Sequence, residues 1–106
     1  MGKYLLEASY SPGGAEGLLK EGGESRRATI DQLVKSMGGT METFYYAFGN
    51  TDVFVIVDLP DDASATALSL RIGATGTVNI RTTVLITPET VDDAIKKPVN
   101  YRPAGQ

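Results

Sequence analysis

The chain contains neither histidine nor cysteine, so acid–base or nucleophilic chemistry would fall to carboxylates, phenols, hydroxyls, lysines and arginines. The commonest general base near neutral pH and the thiolate and imidazole metal ligands are not available. Four groupings remain. The first is Arg26-Arg27, which follows Gly22-Gly23-Glu24-Ser25. A glycine-rich break with free backbone N–H groups, a hydroxyl and guanidinium groups could hold a carboxylate or phosphate. Neither GxGxxG nor GxxxxGK[ST] spacing is present, so this is no nucleotide loop. A helix kink carrying one surface arginine and one carboxylate-paired arginine is the preferred reading.

The second grouping is Glu7 with Arg81, brought together if the first and last strands are neighbours, near Ser9 and Thr83. Enclosed at an interface, the pair could line a small cavity, with burial tuning Glu7 for proton transfer. As a structural ion pair it would fix the register of a dimer. The third is the aromatic set Tyr4, Tyr10, Phe44, Tyr45, Tyr46 and Phe48. Such rings could orient an aromatic or enolic substrate, with Tyr46 in the polar lining, but strand aromatics mostly pack on one another. The fourth is Asp52, expected to cap local backbone N–H groups in a turn with Gly49. Asp58, Asp61 and Asp62 read as a strand stop and helix N-cap around Pro60, and no metal site is expected.

The elements that would position these groups follow from periodicity. Lys3 to Tyr10 alternates, placing Tyr4, Leu6, Ala8 and Tyr10 on one side of a strand. Ser11-Pro12-Gly13-Gly14 is punctuation. A helical region then runs to Met37, with apolar residues at Ala15, Leu18, Leu19, Ile30, Leu33, Val34 and Met37. Gly22 and Gly23 either bend it or divide it in two. If it is one continuous helix, Arg26 lies in the apolar stripe and needs a carboxylate or carbonyl partner, or a cavity to reach.

Thr40 to Phe48 reads as the second strand, with Glu42, Phe44, Tyr46 and Phe48 on one face. Thr51 to Leu59 is the third, joined to it by a hairpin at Gly49-Asn50-Thr51-Asp52. Val53 to Val57 is apolar at every position, the pattern of a strand covered on both faces. A small-residue helix spans Ala63 to about Thr75, and Thr77 to Ile86 is the fourth strand. Thr87-Pro88-Glu89 opens a short terminal helix that runs to about Lys96.

The order βαββαβ is the ferredoxin-like arrangement: two main helices on one face of a four-stranded antiparallel sheet, here with a short C-terminal helix added. It makes the first and third strands central, in agreement with the apolar third strand. The other sheet face carries Phe54 and Ile56, and a second copy of the sheet is its simplest cover. One domain over residues 1–97 and an extended or disordered tail over 98–106 are expected.

The runs Lys3-Tyr4-Leu5, Ser9-Tyr10, Gly17-Leu18-Leu19-Lys20, Arg26-Arg27, Phe44-Tyr45-Tyr46-Ala47-Phe48-Gly49 and Asp52 to Pro60 resemble the GYD domain family over roughly residues 3 to 95. The resemblance implies a fold of the dimeric α+β barrel type and no particular activity. Gly49 and Asp52 match the family's name motif, but Thr51 stands where a tyrosine commonly precedes the aspartate. A role for that ring therefore does not carry over. Barrels of this architecture include cofactor-free monooxygenases, isomerases and ligand-binding regulators, an analogy at the level of fold alone.

A net charge of −3 and the lack of any basic block argue against nucleic acid or an anionic membrane as partner. The expectation is a cytoplasmic homodimer or higher assembly without cofactor that binds a small ligand or serves as an assembly module. Glu7, Arg26, Arg27, Tyr46 and Arg81 are its candidate ligand-binding residues. The alternative is a cofactor-free enzyme acting on a small aromatic or acidic molecule.

Overall fold

The computed structural model describes residues 1–106. The elements are β1 (Gly2–Tyr10), α1 (Pro12–Glu21), α2 (Gly23–Ser36), β2 (Thr40–Tyr46), β3 (Val53–Leu59), α3 (Asp62–Gly73), β4 (Val78–Leu85) and α4 (Pro88–Ile95). The strands form one antiparallel sheet in the order β2-β3-β1-β4, which is the expected ferredoxin-like topology.

Local chemistry explains the boundaries. The Ser11 side chain accepts the Gly14 N–H at 3.1 Å, and Pro12 occupies the first turn of α1. The helix thus starts inside the Ser-Pro-Gly-Gly stretch that reads as punctuation, because a Ser–Pro step is also a helix start. Gly22, at φ +91°, lies in a region only glycine enters readily, and it divides the helical region into α1 and α2. Asp61 caps α3 by accepting the Ser64 N–H at 2.8 Å, and Thr87 caps α4.

The core lies between the sheet and α1–α3. Tyr4 and Leu6 of β1 and Val53, Val55, Val57 and Leu59 of β3 are buried against Val34 of α2 and Ala65 and Leu68 of α3. Each large aliphatic side chain so buried contributes about 1.5–3 kcal/mol. Within a single chain β3 is therefore fully buried on one face only, and Phe54 and Ile56 stay half-exposed on the other.

One register expectation fails. β2 pairs Met41 with Val57 and Thr43 with Ile56, leaving Glu42 as the extra residue of a bulge. Glu42 consequently faces away from Phe44 and Tyr46 and forms an ion pair with Lys3 on the helix-free face. Strict alternation across Thr40–Phe48 cannot anticipate an inserted residue.

Candidate functional site

A cavity of about 330 Å³ lies between the sheet and the helices. Leu6, Ala8, Val53, Val55 and Ile80 form its floor, and Leu18 of α1 and Ile30 of α2 roof it. The space exists because small residues face one another. Gly13, Gly14 and Gly17 line the α1 side, opposite Ala8. Gly14 is also what lets α1 approach β4, since a Cβ there would sit 2.0 Å from the Thr77 carbonyl oxygen. Ser11 fastens the same corner: its N–H donates to the Thr77 carbonyl at 2.9 Å and its hydroxyl donates to it at 3.2 Å.

The polar end of the cavity is made by Tyr10, Glu21 and Arg26. Arg26 projects from the first turn of α2 and its Nη1 lies 3.6 Å from Glu21 Oε2. The single continuous helix that would place Arg26 in one long stripe is not formed, but Arg26 has a carboxylate partner and also reaches the cavity. The carboxylate comes from the last residue of α1, so the pairing depends on the Gly22 break. Tyr10 ends β1, and burial above all, then the neighbouring Tyr46 phenol, pushes its hydroxyl up to about 12, with the Arg26 charge opposing the rise. Burial also raises Tyr46, offset in part by Tyr10 and Arg26. Tyr46 Oη donates to the Gly23 carbonyl at 2.9 Å, tying β2 to the start of α2. Its ring meets Phe44 edge-on at 5.3 Å and stacks on Phe48 at 5.6 Å. At neutral pH the two phenols are protonated donors, suited to orienting an acceptor.

The residues singled out from the sequence divide between two faces. Arg26 lines the cavity and Tyr46 stands beside its polar end. Arg27 turns away to pair with Glu24 one turn earlier on α2, at 2.5 Å. Glu7 and Arg81 are register partners on the opposite face of the sheet, 3.7 Å apart, with Arg81 exposed. They share that face with Lys3, which bonds to Glu42 and lies 3.2 Å from Asp58. Glu21 and the α1 glycines were not among those candidates, and Tyr10 was read only as one of the strand aromatics. The signal available for them was the Gly13/Gly14/Gly17 spacing, which puts glycines on one side of a helical turn.

At the hairpin, Asp52 has a different partner from the one its position suggests. Its carboxylate accepts the Tyr10 N–H at 2.8 Å and its own N–H donates to the Ala8 carbonyl at 2.9 Å. It bonds across the sheet to the end of β1, because the central position of β1 brings those groups beside it. Phe48, not Gly49, takes the left-handed conformation of the loop, at φ +56°. Thr51 is buried.

A family model for the GYD domain matches residues 4–95, nearly the whole chain. The chain belongs to the GYD domain family. No curated protein and no solved structure shows a significant match. Within this GYD domain, the glycine-lined cavity joins apolar walls to Tyr10, Glu21 and Arg26 at one end.

Proposed function

We propose that this GYD domain acts in the cytoplasm as a homodimer that binds a small, mostly apolar molecule bearing an acidic or hydrogen-bond-accepting group. The observation that carries the reading is the cavity of about 330 Å³ with apolar walls and Arg26 and Tyr10 at one end. That is within the range of small-molecule sites, which join apolar walls to a few convergent polar groups. The apolar part of the ligand lies over Ala8 and beneath the α1 glycines. Its acceptor meets the Arg26 guanidinium and the Tyr10 hydroxyl. Arg26 is only loosely engaged by Glu21, so donors remain for a ligand.

The dimer is supported by the composition of the helix-free face. Leu5 and Ile56 are register partners at its apolar centre; Lys3, Asp58 and Leu85 share the row on one side of them, with Glu42 beside Lys3, and Phe54 and Tyr45 share the row on the other side with Glu7 and Arg81. A binding role is favoured over a catalytic one because phenols held protonated are poor bases at neutral pH.

Titration with 8-anilinonaphthalene-1-sulfonate, an apolar anion, tests the site through its fluorescence. Ala8→Leu puts two added branches on the cavity floor and should abolish saturable binding. Arg26→Gln should weaken the anion about tenfold, the loss of one charged hydrogen bond, while leaving binding of uncharged Nile red unchanged. Dye binding that survives Ala8→Leu with unaltered affinity would overturn the reading.

A further inference from the structure

The last 21 residues, Ile86 to Gln106, do not belong to the packed body, and every one of them is exposed. The radius of gyration is 17.1 Å, and the molecule measures 57 Å along its longest axis against 34 Å and 22 Å across. A compact domain of this length would have a radius of gyration near ~13 Å. The difference is the signature of a projecting arm.

The arm carries an apolar edge with nothing on it. Val91 and Ile95 are one turn apart on α4, with Ala94 beside them, and Val99 and Tyr101 continue the apolar residues beyond the helix. Ile95, Val99 and Tyr101 are each at least three-quarters exposed. An isolated helix this short is marginal in water and draws its stability from packing. The arm is therefore a segment whose fold is completed on another surface.

The helix-free sheet face indicates which surface. The strand register places fifteen residues on that face, four each from β1, β2 and β4 and three from β3. A stable interface takes roughly 20–30 residues from each partner. Two such faces pressed together fall short, and each chain has an unused apolar arm long enough to cross the junction.

We infer that the C-terminal arm is exchanged: in the homodimer each arm leaves its own body and packs its Val91–Ile95 edge against the partner chain. The inference rests on the dimer proposed above. One symmetric partner then covers both apolar surfaces, and the arm gains a packing surface without giving up contacts on its own body.

The test uses the intact chain, whose lack of cysteine allows a single label site at Asn100→Cys. A nitroxide-labelled Asn100→Cys protein of natural isotope abundance is mixed with unmodified ¹⁵N protein, and sedimentation is run on the same sample. Broadening of body amides in the ¹⁵N chain of a dimeric sample is the expected result. A dimer that shows no such broadening, with effects appearing only in a separate sample where label and ¹⁵N are carried by the same chain, would overturn exchange while leaving the dimer standing. A folded monomer would overturn both, and the sedimentation run distinguishes the two failures. As a second arm, Val91→Asp with Ile95→Asp should raise the dimer dissociation constant at least ~30-fold without changing dye binding in the cavity. An unchanged dissociation constant would also count against exchange.

Discussion

Glycine positions in α1 separate close packing from empty space at the level of single atoms. Gly14→Ala would press a methyl group onto the Thr77 carbonyl oxygen, at 2.0 Å, where backbone on both sides must move. It should lower stability by roughly 3 kcal/mol, read as a shift of the urea midpoint. Gly17→Ala meets nothing within 4 Å and should instead stabilise by about 1 kcal/mol through helix propensity. Two tyrosines predict the alkaline behaviour. Tyr4 is pushed up to about 12, first by its hydrogen bond to Asp62 at 2.6 Å and then by burial, and Tyr10 is pushed up to about 12 mainly by burial. In the unfolded chain these phenols ionise near the ordinary value of 10.0, so the unfolded state loses protons first as pH rises. Their stabilising contribution is fully present below about pH 10 and is gone once pH passes the folded value near 12. Absorbance at 295 nm should show these two phenolates appearing late, and the thermal midpoint should fall through the same window.

Element junctions are held by a few polar ties rather than by large contacts. Asp52 joins the β2–β3 loop to the end of β1, Tyr46 joins β2 to α2, and Tyr4 joins β1 to the start of α3. Asp52→Ala removes a charged acceptor from the Tyr10 N–H and should cost about 2 kcal/mol. Hydrogen exchange at the Tyr10 amide should accelerate with it, while the amides of α3 keep their protection. The bulge at Glu42 is also an element-scale device. It turns a carboxylate to the helix-free face, where Lys3 gathers the ends of β1, β2 and β3.

As a whole, the molecule has a one-sided core. Only 11 of 106 residues are buried, and the apolar centre of the helix-free face is covered by nothing within the chain. Phe54→Glu sets a second carboxylate opposite Glu7 on that face, next to Ile56 along β3, without entering the core. Sedimentation should show the unmodified chain as a dimer at micromolar concentration and Phe54→Glu as a folded monomer with unaltered circular dichroism. A folded monomer for the unmodified chain refutes the dimer.

The fold was legible in the amino-acid order because its signals are local. The Tyr4/Leu6/Ala8/Tyr10 alternation, the β3 apolar run, the Thr87-Pro88 start and the Gly22-Gly23 break each act over a few residues. Arg26 was legible as a charge in an apolar stripe that demanded a partner. The cavity was not, because it is a volume left over when Gly13, Gly14 and Gly17 are set against Ala8 of another element. The bulge at Glu42, the reach of Asp52 to Tyr10 and the separation of Arg26 from Glu7 and Arg81 depend likewise on which groups the sheet order makes neighbours. Periodicity determines which side of an element is apolar. What that side meets, and where it meets nothing, is decided only when distant segments are packed together.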